Sequence, residues 1–270
     1  MVYAGCSPIV RVDKLGLRTI GFTTGEMQWG AFGANPNRLS TMLEQLAGDE
    51  EGGYVIIEPG RLTEDQMEDL ASHIEKNVKF LKPGRDGRSP RMQLRRGANG
   101  EIVVWMPATE EAGKSAKKRC GSEGEGDRQG GWDFQWSYMS ILVNIHGSGR
   151  DRGVSPDSLR LLDRVLGLMA RRGHSSEVWG IELAICFGGA PFGALDLLWG
   201  EISSLQSSGV IDKDMRVFLG GTTGMNRMIN AGDGQVVVTP VNNGRSEYVT
   251  IDVIGGVKLV DEPFFIEVHR

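Results

Sequence analysis

Apolar residues along this chain recur at two spacings, and each spacing marks one kind of element. At intervals of three and four they trace helical faces. Met67, Leu70, Ile74, Val78 and Leu81 make such a stripe in a segment running to about Phe80. Thr63, with Gln66 three residues on, is a capping box that starts it, because each side chain can accept the other's backbone N–H. Leu39, Met42, Leu43 and Leu46 share the face of a second segment that Asn37 or Ser40 can cap. Ser155-Pro156 opens a third, with Pro at the first helical position and Leu159, Leu162, Val165, Leu166 and Met169 as its stripe up to Gly173. Ala194 to Leu205 is a fourth.

Short apolar runs bounded by glycine and polar clusters mark strands. These are Val10 to Phe22 with a kink at Gly16, Tyr54 to Glu58, Glu101 to Met106, Phe134 to His146, Val178 to Phe187 and Met215 to Gly220. Beyond Gly220 the helical spacing disappears. QVVVTPV, EYVTIDVI, VKLV and PFFIEV, parted by Asn242-Asn243-Gly244 and Gly255-Gly256, predict an antiparallel meander. The order strand, helix, strand, helix, strand occurs twice, without residue identity between the two runs. The expected fold is therefore α+β (mixed α/β), with an N-terminal α/β half at 1–106, a flexible linker at 107–133, and a C-terminal α/β half with the meander at 134–270.

Two stretches have no period. In Lys82 to Gly100, Pro83, Gly84, Gly87 and Pro90 oppose regular helix and sheet, so a mobile basic loop is expected. Pro107 to Asp133 is polar and ends in GSEGEGDRQGG. Charge follows the same division. Between Lys76 and Arg119, 12 basic residues face four acidic ones, a local +8 in a chain of net charge −5. Lys79, Lys82, Arg85, Arg88, Arg91, Arg95, Arg96, Lys114, Lys117, Lys118 and Arg119 are the candidate polyanion-binding set, since guanidinium forks pair with phosphate oxygens and a pliant backbone follows an irregular partner. RNA or an anionic membrane surface fits that set, and the acidic remainder gives a second copy of the chain something to meet. No aromatic RNA-recognition motif, KH loop or zinc-finger spacing accompanies it.

With 270 residues, 40% of them hydrophobic, the chain can bury a sizeable core. It has neither a run of about 18 apolar residues nor a basic-then-apolar start. Three widely spaced cysteines, Cys6, Cys120 and Cys186, suit free thiols. An intracellular location, cytoplasmic or nuclear with peripheral membrane contact, is the expectation.

Candidate chemistry is sparse. The turn Gly147, Gly149, Arg150, Arg152 to Ser155 joins a strand to a helix start and is a candidate phosphate cradle. Gly220 to Gly224 leaves a strand in the same way, and Ala108 to Ser115 matches a phosphate-binding loop loosely, with Glu110 and Glu111 opposing the match. The histidines, His73, His146, His174 and His269, lack metal-ligand spacing, so no metal and no cofactor is expected. Cys186 with His146 or His174 and Asp196 can be drawn as nucleophile, base and orienting acid, but its apolar strand ELAICF favours a packed thiol. Glu182 in that strand must face solvent, an arginine or a ligand. Trp132, Trp136 and Tyr138 flank the linker and suit stacking or a subunit contact, although core packing is the commoner fate. These features point first to a non-enzymatic assembly protein that self-associates and binds a polyanion, with virion matrix proteins and nucleoproteins as physical analogues. A phosphate- or nucleotide-binding enzyme and a regulatory protein-interaction module are the alternatives.

Overall fold

The computed structural model describes residues 17–27, 41–43, 46–47, 52–78, 92–106, 138–172, 178–230, 236–241, 246–254 and 257–260. In chain order the elements are β1 (Leu17–Thr24), β2 (Gly53–Glu58), α1 (Glu64–Val78), β3 (Gln93–Arg96), β4 (Ile102–Met106), β5 (Tyr138–Ile145), α2 (Pro156–Arg172), β6 (Val178–Ile185), α3 (Ala194–Ser207), β7 (Val217–Thr222), β8 (Asn226–Asn230), β9 (Val236–Pro240), β10 (Tyr248–Ile254) and β11 (Val257–Val260). Residues 41–43 and 46–47 are helical as well.

Local signals place the helices. The Thr63 N–H donates to Gln66 Oε1 at 2.9 Å and the Gln66 N–H to Thr63 Oγ1 at 3.3 Å, so the capping box closes at the start of α1. Ser155 Oγ accepts the Ser158 N–H at 3.1 Å, and Pro156 is the first residue of α2.

Nine strands form one sheet in the order β11-β10-β7-β6-β5-β1-β2-β4-β3, and β8 pairs with β9 apart from it. The middle, β7-β6-β5-β1-β2, is parallel, and the flanks are antiparallel. A central parallel strand is covered on both faces, which is why every residue of β6 is buried and its sequence reads as one apolar run. On one face Ile20, Ile141, Leu183 and Leu219 pack with Leu161, Val165 and Met169 of α2 and Leu195, Leu198 and Ile202 of α3. On the other, Val55, Ile57, Leu142 and Ala184 pack with Met67, Leu70 and Ile74 of α1, with Met42 and Leu46, and with Met228 and Val238 of the β8-β9 hairpin. The fold is a mixed α/β one. Both sequence halves supply strands to this sheet, because β5 lies directly beside β1.

Two expectations need correction. Gln93–Arg96, read as irregular, is an edge strand paired with β4, because Gly97 to Gly100 folds back through Gly97 N–H to Glu101 O (2.8 Å) and Leu94 is half-buried against the core. The C-terminal strands do not run as one meander. β10 and β11 extend the main sheet from β7, whereas β9 folds onto β8, which the sequence showed only as polar residues after a glycine turn.

Two buried acids are held in opposite ways. Glu58, at the end of β2 and 2% exposed, accepts Arg160 Nε at 2.5 Å and Arg164 Nε, tying α2 to the sheet. Glu182, 6% exposed, meets neither solvent nor arginine as its sequence position suggested. Its register partner on β7 is Gly220, and the missing side chain there lets the carboxyl reach Tyr248 on β10. The Tyr248 hydroxyl donates to Oε2, while Oε1 has no hydrogen-bond partner among the described residues. Burial pushes the Glu182 pKa from 4.5 up to about 8, with the tyrosine bond pulling it down.

Between those two values the unfolded chain gives up a proton that the folded chain keeps. Stability from this group is therefore complete below the unfolded value and is lost as pH rises toward the folded one, by at most ~1.4 kcal/mol per pH unit. Glu182→Gln removes the titration. In urea denaturation from about pH 5 to pH 8, the stability difference is expected to move steadily in the variant's favour; a difference that stays constant across that range contradicts a protonated buried Glu182.

Candidate active site at the carboxyl edge of the sheet

In an open parallel sheet, ligands collect outside the carboxyl ends of the strands where the strand order reverses. Here that point lies between β1 and β5, since the chain runs outward from β1 to β2 and then outward the other way from β5 to β6 and β7. β5 and β6 end on register partners, Ile145 and Ile185. His146 and Cys186 are thus the first residues beyond the sheet on neighbouring strands. Neighbouring strands stand about 4.8 Å apart. The loops after them touch: a Cβ added to Gly147 would lie 2.3 Å from the Cys186 carbonyl oxygen, and one added to Gly153 would lie 2.8 Å from Gly188 Cα. Only glycine lets the two turns meet so closely at 147.

Cys186 is a buried free thiol, as its apolar strand suggested, but its neighbours include polar groups. It is 8% exposed, yet it belongs to neither apolar cluster of the described residues. Its Sγ accepts the Asn226 N–H at 3.5 Å and lies 3.9 Å from Asn226 Oδ1, while Asn226 Nδ2 donates to Thr222 Oγ1 at 3.0 Å. The sulfur therefore sits in a polar setting built by the end of β7 and the start of β8, and the N–H that meets a thiol there serves a thiolate equally well. His146, in contrast, is exposed.

The turn after His146 is organised by Asp151. Its Oδ1 accepts the Ser148 N–H at 2.9 Å and the Gly153 N–H at 2.8 Å, and the Ser148 hydroxyl faces the Asp151 N–H at 3.3 Å. Burial raises the Asp151 pKa, but these bonds and the charge of nearby His146 outweigh it, so the carboxylate is held below its ordinary value. An acid thus lies within electrostatic reach of the imidazole. Of the candidate phosphate cradle, Gly147 is pressed against Cys186, Gly149 lies by the Phe187 ring, Arg150 is exposed, and Ser155 caps α2. The N–H groups of Ser148 and Gly153, which a phosphate would need, are taken by Asp151. Arg152 Nη1 donates to Pro191 O at 2.8 Å.

Backbone strain gathers at the same edge. Among the described residues the non-glycine positive φ angles are at Arg152 (50°), Phe187 (63°) and Phe192 (59°), in the loops that leave β5 and β6. Each costs on the order of 1–3 kcal/mol and persists only where surrounding bonds fix it. Phe187, directly after Cys186, donates its N–H to Gly224 O at 2.7 Å; Gly188 donates to Ile185 O and Gly189 to Thr222 O, both at 2.9 Å.

Of the other sequence candidates, the described ones are engaged elsewhere. Asp196, drawn as an orienting acid, accepts the Phe192 N–H at 2.8 Å at the start of α3. Arg96 pairs with Glu68 and donates to Met67 O at 3.5 Å, and Arg95 lies over Trp105, 4.9 Å from the ring centre. Lys79, Lys82, Arg85, Arg88, Arg91, Lys114, Lys117, Lys118 and Arg119 lie outside the described residues, as do Ala108 to Ser115, His174, His269, Trp132 and Trp136. Among the described residues no group of three or more His, Cys, Asp or Glu is arranged to hold a metal ion, and no helix is long and apolar enough to cross a membrane.

The contact at Gly147 gives a direct test. Gly147→Ala is expected to lower stability by roughly 1–3 kcal/mol in denaturant titration, whereas Gly149→Ala, whose added methyl has the Phe187 ring as its nearest neighbour at 3.5 Å, is expected to leave it nearly unchanged; equal effects contradict the close approach of the two turns.

Comparison of the chain with protein-family models, with curated proteins and with solved structures gave no match.

Proposed function

We propose that the protein is a cysteine-dependent acyl-transfer hydrolase, with Cys186 as nucleophile and His146 as general base. What carries the reading is one observation: a histidine and a cysteine stand as the first residues past paired strand ends, with their turns in contact, beside the reversal point of the sheet. In the reaction His146 takes the thiol proton as Sγ bonds to the acyl carbon, then returns it to the leaving group as the carbon–heteroatom bond breaks. Water, activated by the same imidazole, releases the acid and restores the thiol. Asp151 steadies the imidazolium through its negative charge. The N–H groups of Phe187, Gly188 and Gly189 are engaged by Gly224 O, Ile185 O and Thr222 O, so the donor proposed for the developing oxyanion is the N–H of Gly147 or of Cys186 itself.

Asn144, one turn of the strand pleat before His146, adds to this reading. It is fully buried, and its Nδ2 donates to Thr23 Oγ1 at 3.5 Å across the reversal point, bracing β5 against β1 two residues before His146. The assembly and polyanion-binding reading draws nothing comparable from Arg95 and Arg96, whose guanidinium groups already meet Trp105 and Glu68, and it rests on sequence alone.

Iodoacetamide labelling followed by peptide mass mapping tests the proposal without a known substrate. Cys186 in the folded protein is expected to react near neutral pH, and His146→Ala to slow that reaction by about tenfold or more, as loss of a general base does. A labelling rate at Cys186 unchanged by His146→Ala contradicts the pairing.

A further inference from the structure

Resting on the Cys186–His146 reading, we infer that Phe192 is a specificity-determining residue of that site, receiving a large apolar group that flanks the reacting carbonyl of the substrate. Among the described residues the exposed large apolar side chains are Leu159, Phe192, Leu197, Val210 and Met225, and Phe192 stands out at 84% exposed. It is also the member of that group with a positive φ, 59°. Exposing an aromatic ring while straining its backbone stabilises nothing in the isolated fold, so both costs point to work done outside it.

The presentation of Phe192 is fixed from every side. Its own N–H donates to Asp196 Oδ2 at 2.8 Å. The carbonyl before it, Pro191 O, accepts Arg152 Nη1 at 2.8 Å. The Gly193 N–H after it donates to Ala190 O at 2.8 Å, and the Ala194 N–H donates to Arg152 O at 3.2 Å. Arg152 thus grips residues 191 to 194 with both its side chain and its backbone, and Arg152 belongs to the turn that begins at His146. The other end of the segment begins at Cys186. Ala190 N–H to Phe187 O (3.0 Å) and Gly193 N–H to Ala190 O close two successive turns, each bringing its ends within about 7 Å, so the segment that carries Phe192 stays within roughly 14 Å of the residue after Cys186.

A second exposed apolar residue lies on the neighbouring turn. Met225, 49% exposed, lies between Gly224, whose carbonyl accepts the Phe187 N–H, and Asn226, whose N–H meets Cys186 Sγ. An acyl substrate with a bulky apolar group finds an aromatic face on the β6 loop and a pliable thioether on the β7 turn. A small or charged group at that place gains from neither.

The test uses a matched pair of thiol reagents, N-benzylmaleimide and N-methylmaleimide. In each the Cys186 sulfur bonds to one alkene carbon and the neighbouring carbon takes a proton, so the two differ in the apolar tail alone. Rates at Cys186 are read by peptide mass mapping and divided by the rates with glutathione. The benzyl-to-methyl ratio is expected to exceed that of glutathione in the native protein and to fall by about tenfold in Phe192→Ala. Phe192→Tyr is expected to keep the ratio, and so is Leu159→Ala, a loss of exposed apolar surface on α2. A ratio that Phe192→Ala leaves unchanged, with Cys186 still reactive and still slowed by His146→Ala, overturns the role of Phe192 and leaves the hydrolase reading standing. No reaction at Cys186 with either reagent overturns both.

Discussion

Everything at the carboxyl edge depends on where β5 is inserted. By pairing in parallel with β1 on one side and β6 on the other, it brings the residue after Ile145 beside the residue after Ile185. Those two strands come from positions some 40 residues apart in sequence, with α2 packed between them in the chain. The helix buries Leu161, Leu162, Val165 and Met169 against the sheet, and this burial holds the register that sets the edge. A slip of one residue in β5 would turn Asn144 toward the α2 side and part His146 from Cys186. The fully buried hydrophobic set of β5 on that side, Met139, Ile141, Val143 and Ile145, opposes such a slip strongly.

The strain at Arg152, Phe187 and Phe192 follows from the same arrangement. Two neighbouring strands end at the same level, and the chain must leave both without blocking the space above them. It does so by sharp turns, and the glycines at 147, 153 and 193 let the turns touch. Where the side chain is not glycine, hydrogen bonds fix the left-handed backbone in its place, as Gly224 O does for Phe187 and Asp196 for Phe192. Asp151 completes the set by filling its own turn with a carboxylate, which gives rigidity to the loop and a negative charge to the neighbourhood of His146.

What was legible in the sequence was what is local. Thr63 with Gln66, and Ser155 with Pro156, announce helix starts because cap and helix lie within one turn of each other. The apolar runs of β2, β5, β6 and β7 announce buried strands for the same reason. Partners distant in sequence left no such mark. Gln93–Arg96 was hidden by its charge, although an edge strand tolerates charge on its open side. Glu182 reads as facing solvent, an arginine or a ligand, and nothing at position 182 reports that Gly220 and Tyr248 lie across the sheet. Cys186 reads as a packed thiol because Leu183, Ala184 and Ile185 before it are apolar, and it is indeed buried. The informative signal was its place as the last residue before Phe187-Gly188-Gly189, matched by His146 before Gly147 at the end of the preceding strand. Read as a pair, two strand ends that each carry a reactive side chain ahead of glycine say more than either does alone.

The central claim is that positions 146 and 186 are side by side in the folded chain. It is tested most directly by a His146→Cys variant under mild oxidation, with the new bond located by peptide mapping. Residues in adjacent strand ends fall within the Cα separation of roughly 4.4–6.8 Å that a disulfide requires. The account predicts a bond between position 146 and Cys186 that forms readily in the folded protein and not after denaturation. Bonding of position 146 to Cys6 or Cys120 instead, or no bond at all while the fold is intact, would contradict it.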